Sequence, residues 1–187
     1  MPERAPPPRP GIGAGKARLA EILRVDHAGE LAAVHIYRGQ RAVLNNAVGK
    51  DRIAYQLQEM EAHEAEHLKA FERLLTERQV RPTLMAPVWR AAGFALGVGS
   101  ALAGEKAVHA CTEAVETVIE DHYAGQVEEL RARDPDLART LAAFRDEELK
   151  HRDQAIEEGA REAPAYRLLS AVVRAGCRAA IKISEKI

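Results

Sequence analysis

Apolar residues return every three or four positions along most of the chain, the period of helices that bury one face. On that basis the sequence predicts a first helix over residues 16–47, ending near Gly49, and a second from Asp51, a candidate N-cap, to residue 78. RPTLMAP, with Pro82 and Pro87, breaks the pattern. A glycine-punctuated apolar run, VWRAAGFALGVGSALAG, follows over residues 88–104, and a fourth helix is expected over 105–133. Asp134-Pro135 reads as a stop and restart, because aspartate caps a helix and proline suits its first position. The fifth helix should run to Gly159, and Pro164 should open a last one over 165–184. Short connections predict consecutive helices packed as antiparallel neighbours.

Several stripes carry charge where hydrophobes are expected. Leu23, His27, Glu30, Val34 and Tyr37 share a face of the first helix. On the second the face is Ile53, Leu57, Met60, Glu64, then His67 or Leu68, and Phe71. On the fifth it is Leu137, Leu141, Phe144, Glu148, His151 and Ala155. An unpaired buried carboxylate costs on the order of several kcal/mol, so three that converge must be protonated or hold cations.

The second and fifth helices also each carry Glu-x-x-His, at Glu64/His67 and Glu148/His151. Residues three apart are neighbours on a helix, so one turn offers an oxygen and a nitrogen to the same ion. A glutamate playing the part of Glu30 is expected on the fourth helix. Periodicity leaves Glu113, Glu116 and Glu120 open there and favours Glu116, which shares a face with Thr112, Ile119 and Tyr123. One glutamate on each of two helices, with Glu-x-x-His on each of two others, is the donor set of bundles holding two iron or manganese ions. The other acids, such as Glu59, Glu61, Glu66, Glu72, Glu128 and Glu129, belong on solvated faces. His27 and His109 read first as core histidines, Tyr37 and Tyr123 as packing.

Composition narrows the class. At 187 residues with 4% aromatics and dense, balanced charge, the chain suits one helical domain. A net charge of -1 gives no footing for nucleic acid. Cys111 and Cys177 lack CxxC spacing, so neither a disulfide framework nor a zinc ribbon is implied, and both suit a reducing compartment. Residues 1–15 are rich in proline and glycine. They read as a disordered tail rather than a secretory signal or presequence helix, leaving 16–187 as the domain. No GxGxxG follows a predicted strand, so no dinucleotide domain is built in.

RVDHAGE (24–30), IYRGQ (36–40), EAEHLKAF, VRPTLMAPVWRAAGFALG, ACTEAVETVIEDHY, FRDEELKHRD and APAYRLLSAVVRAGCRAAIKISEKI occur in order. Together they resemble the demethoxyubiquinone hydroxylases, the di-iron monooxygenases of coenzyme Q biosynthesis. The resemblance implies an all-α, ferritin-like four-helix bundle with additional membrane-associating helices. It implies iron ligation by Glu30, Glu64, His67, Glu116, Glu148 and His151, with Glu64 and Glu148 bridging, and so selects Glu116 on the fourth helix. It sets His122 and Tyr123 beside the site, touching ligands or quinone, and Asp26, His27 and Asp146 as residues that orient ligands. The implied reaction is ring hydroxylation of a polyprenylated demethoxy-benzoquinone or quinol. It uses two iron ions, O2 as co-substrate and an external reductant, with NADH the candidate. Implied partners are that quinone, a membrane surface, other ubiquinone-biosynthesis proteins and a second copy of the chain. The implied location is peripheral, on the cytoplasmic face of a bacterial inner membrane, with the mitochondrial inner membrane as alternative.

The sequence gives the membrane reading its own footing. Residues 84–104 contain Trp89 and Arg90 at one end of an apolar run, and residues 165–184 set Arg167, Arg174, Arg178 and Lys182 around Leu168, Val172, Val173 and Ile181. Both patterns suit segments lying in a membrane interface. Core helices, the second with a solvated basic face, are the competing account. Two rival functions stand beside the oxygenase: a ferroxidase or manganese-catalase-like protein, and a non-catalytic membrane-binding bundle.

Overall fold

The computed structural model describes residues 12–187 and the side chains from Gly15 onward. The expected tail over 1–15 therefore lies outside the described residues except at its end, where Ile12–Gly15 already belong to the first helix. Glycine costs a helix only about 1 kcal/mol, and the last proline before it is Pro10.

Among the described residues six helices follow one another: α1 (Ile12–Leu44), α2 (Asp51–Glu77), α3 (Ala86–Leu102), α4 (Glu105–Leu130), α5 (Pro135–Glu157) and α6 (Tyr166–Lys186), with a 3-10 turn at Ala160–Glu162. Asp134 caps α5 as its sequence predicts, accepting from the Leu137 amide at 3.2 Å. Asp51 does not cap α2. It is the first helical residue, where its charge complements the positive end of the helix dipole, and Lys50 occupies the cap position without a side-chain bond.

α1, α2, α4 and α5 form the four-helix bundle. Within it α1 meets α2, and α4 meets α5, as antiparallel neighbours; Arg41 pairs with Glu61 on one pair, and Arg152 with Glu120 on the other. The expectation of consecutive antiparallel packing fails for α3. It runs parallel to α1 and lies directly on it, with Gly93 over Ala32 and Gly97 over Ile36. A Cβ on Gly97 would stand 2.0 Å from the Ile36 carbonyl oxygen, so only glycine permits this approach. α6 lies along α4 and α1. Arg174 reaches inward from it to the buried Glu113 at 2.8 Å, and Tyr166 donates to the same carboxylate at 3.2 Å. The Trp89 indole donates to Ser184 at 2.9 Å and ties the start of α3 to the end of α6.

Two apolar clusters fill the bundle. One gathers Ile22, Leu23, Phe71, Leu75, Tyr123, Leu130, Leu137 and Leu141; the other gathers Tyr37, Leu44, Ile53, Leu57, Met60 and Val108. Burying each large side chain contributes about 1.5–3 kcal/mol. The charged positions of all four stripes lie between these clusters, walled from water at both ends of the bundle.

α3 is not a core helix. It buries only Gly93, Gly97, Ser100 and Ala101 and turns Val88, Phe94 and Leu102 outward. α6 likewise exposes Leu168, Val172 and Ile183. Two members of its expected basic amphipathic pattern face inward instead: Arg174, paired with Glu113, and the buried Val173. No helix among the described residues is long and apolar enough to cross a membrane.

Candidate metal centre

The helical period brings Glu30, Glu64, His67, Glu116, Glu148 and His151 to one level of the bundle, each buried. They form two overlapping groups. Glu30, Glu64, His67 and Glu148 make one, Glu64, Glu116, Glu148 and His151 the other, and within each group the ligand-type atoms lie within 4.8 Å of one another. Glu64 and Glu148 belong to both. The open choice on α4 resolves geometrically: Glu116 points into the site, Glu113 faces α6, and Glu120 pairs with Arg152.

Hydrogen bonding separates the two kinds of glutamate. Among the described residues, both oxygens of Glu64 and both of Glu148 are buried without a partner. Glu30 and Glu116 each leave one oxygen unpartnered, because a tyrosine holds the other. Tyr37 on α1 donates to Glu116 at 2.7 Å, and Tyr123 on α4 donates to Glu30. The Nδ1 atoms of His67 and His151 also face the centre without an aligned hydrogen bond, 3.1 Å from Glu148 and 3.2 Å from Glu64 respectively. Orphaned buried polar atoms are costly, and such a set is what a pair of divalent cations satisfies. The residues fit two metal ions, two carboxylates shared and the rest divided between them.

The electrostatics agree. Burial, then the negative charges of Glu148 and Glu64, push the Glu116 carboxyl well above its ordinary range. Burial lowers His67, but the carboxylates of Glu148, Glu30 and Glu64 more than reverse this and raise it. The same contest brings His151 up to about 9, with Glu148 and Glu64 opposing burial. Burial first, then the adjacent carboxylate, raises the Tyr37 and Tyr123 hydroxyls well above their usual value and keeps them as donors.

The surrounding candidates fare differently. Asp26 is buried beside the site, accepting from Gln126 at 2.8 Å with His122 at 3.5 Å, and burial raises its carboxyl despite that histidine. His122 is half-buried at the same spot, bonded to Gln126. His27 is buried, belongs to neither group of donors, and burial lowers its pKa. Asp146 does not orient a ligand: it is exposed and, among the described residues, bonds only its neighbour Arg145 at 3.0 Å, because two steps along α5 from the inward-facing Glu148 turn it to the opposite face.

Some participants escape a reading of stripes. Tyr37 does more than pack. A repeated spacing could have exposed this, since Glu30 to Tyr37 and Glu116 to Tyr123 are each seven residues, two helical turns. Glu147 bonds the outer nitrogen of His67 at 2.9 Å, and His63 bonds that of His151 at 3.1 Å. Phe144, half-buried, stacks on His67 with ring centroids 4.0 Å apart.

An apolar cavity of about 80 Å³ lies between α1, α3, α4 and α6, lined among others by Ala32, Trp89, Val115, Cys177 and Ile181. A smaller cleft adjoins it through Val25, Gly29, Ile119 and Ile181 and ends on Glu30, Asp26, His122 and Tyr123.

The family model for ubiquinone biosynthesis protein COQ7 matches residues 17–184. The 3-demethoxyubiquinol 3-hydroxylase of Rhodospirillum rubrum is 46% identical over 178 residues, covering 95% of this chain and 82% of its own. The mitochondrial NADPH-dependent 3-demethoxyubiquinone 3-hydroxylase of Mus musculus is 45% identical over 175 residues, 91% of this chain and 79% of its own. The Homo sapiens protein of the same description is 44% identical over 176 residues, 92% of this chain and 79% of its own.

Proposed function

The chain belongs to the COQ7 family of ubiquinone biosynthesis proteins and is a hydroxylase of that pathway; from that premise we propose that it hydroxylates the ring of a polyprenylated demethoxy-benzoquinone or its quinol, using O2 at a pair of iron ions. The observation that carries the reading is the pair of overlapping buried groups sharing Glu64 and Glu148. The iron pair, when bound, supplies the electrons that activate O2. Glu30 and His67 would hold one ion, Glu116 and His151 the other, with Glu64 and Glu148 available to both. Tyr37 and Tyr123 hold the outer glutamates in place, and the flanking apolar clusters keep bulk water from the centre. Electrons come from an external reductant, and the names of the mouse and human relatives favour a reduced nicotinamide.

The cavity supports the substrate class. Its apolar walls suit an isoprenoid chain, and the adjoining cleft offers Asp26, His122 and Tyr123 to the ring oxygens. Such a molecule stays in a bilayer. Exposed Leu84, Val88, Phe94 and Leu102 on and before α3, with Leu168, Val172 and Ile183 on α6, form the surface that rests on it, flanked by the exposed Arg90, Arg167, Arg178 and Lys182. The cavity lies between these two helices and the bundle, and the adjoining cleft ends on Glu30, so the quinone would approach the metals without crossing water. This lipid-facing route favours the oxygenase over a ferroxidase or manganese catalase, which needs none.

The test is restoration of the quinone pool. Cells lacking the gene should accumulate a demethoxy-quinone, and the natural chain should clear it by mass spectrometry of lipid extracts. A Glu64→Ala variant that folds should leave it uncleared; clearance by that variant would contradict the proposal.

A further inference from the structure

Both histidines of the metal centre bond outward as well as inward. His67 Nε2 lies 2.9 Å from Glu147 Oε2, and His151 Nε2 lies 3.1 Å from His63 Nδ1. The second pair of rings is stacked, 3° from parallel, with centroids 5.4 Å apart. Each outer partner stands one residue before a shared glutamate and reaches across to the opposite helix. Glu147, before Glu148 on α5, serves the histidine of α2; His63, before Glu64 on α2, serves the histidine of α5.

The arrangement is symmetric in position and unequal in chemistry. A histidine that offers Nδ1 to a cation carries its proton on Nε2. The Nε2–H of His67 therefore donates to a carboxylate, whereas that of His151 donates to an uncharged ring nitrogen. Hydrogen bonds to an ionised acceptor are roughly twice as strong as neutral ones. A carboxylate behind an imidazole also fixes its tautomer and raises the basicity of the inner nitrogen.

We propose that Glu147 and His63 are positioning residues that make the two metal positions unequal, the ion at Glu30 and His67 being held more tightly than the ion at Glu116 and His151. The inference rests on the metal-centre reading above. Neither residue is part of the apolar core: the Glu147 side chain is 44% exposed and His63 is exposed. Both can be replaced without opening a cavity.

The experiment titrates the metal-free full-length chain with Co(II), following visible absorption and calorimetric affinity, with helicity checked by circular dichroism. The natural chain should take two equivalents in two separated steps. Glu147→Gln keeps an acceptor oxygen and removes the charge; it should weaken the tighter step by about 10-fold or more and merge the two. His63→Gln, neutral for neutral, should leave both steps in place. His63→Glu puts a carboxylate behind the second histidine and should tighten the weaker step. Two equivalents bound with both steps indifferent to Glu147→Gln, or with the weaker step the one affected, would overturn the inference and leave the metal centre standing. Fewer than two equivalents in the natural chain would overturn both.

Discussion

Tyr37 on α1 donates a 2.7 Å hydrogen bond to Glu116 on α4, and the reciprocal bond runs from Tyr123 on α4 to Glu30 on α1. Each glutamate thus depends on a tyrosine two turns along the opposite helix. Both hydroxyls are buried, so removing one strands a carboxylate oxygen that water cannot reach. Tyr37→Phe should lower stability by about 1–3 kcal/mol in the metal-free protein, read as a fall in the chemical-denaturation midpoint. Tyr123→Phe should behave alike, since its partner occupies the equivalent place.

Gly97 sets how closely α3 can approach α1. A methyl group there meets backbone, the Ile36 carbonyl at 2.0 Å, and no side chain can swing aside to make room. Gly97→Ala should cost about 1–3 kcal/mol or more by thermal unfolding. Gly99→Ala, where an added Cβ meets nothing within 4 Å, should be neutral or slightly stabilising.

Metal uptake should depend on pH through His151, which its carboxylate neighbours raise from 6.5 to about 9. Its proton stabilises the metal-free fold fully below pH 6.5, and that contribution is lost as pH rises through about 9. A cation needs the bare nitrogen, so below about pH 9 binding must expel the proton. Apparent Co(II) affinity should therefore climb from pH 6.5 towards pH 9. Calorimetry in buffers of different ionisation enthalpy should register proton release at pH 7.

The apolar face of α3 and α6 should govern membrane association. Phe94 is 42% exposed and Val172 is 62% exposed, and neither joins a core cluster. Phe94→Asp and Val172→Asp together should reduce flotation with phosphatidylglycerol-containing liposomes several-fold while leaving helicity and metal content intact.

The sequence carried the bundle and the metal donors more clearly than the arrangement outside them. α2 buries Ile53, Leu57, Met60, Glu64, His67 and Phe71, one clean face, because it touches the bundle on one side only. α1 blurs that signal: packed by α2, α3, α4 and α6, it buries residues almost all round. The lie of α3 on α1 was not legible, since its contact consists of glycines whose absent side chains leave no apolar period. Arg174 looked like a headgroup contact because charge on a helix says nothing of a buried acid such as Glu113 one helix away. Glu147 and His63 were hidden for a related reason. They fall outside their own helices' apolar stripes and matter only through the helix they reach.

The central claim is that six side chains share two cations, with Glu64 and Glu148 common to both. Metal analysis of anaerobically purified protein tests it most directly. The natural chain should hold two iron ions per polypeptide, Glu148→Ala should hold none, and Glu116→Ala should keep one, each variant retaining its helical signal. A natural chain without metal, or a Glu148→Ala variant that still carries two, would contradict it.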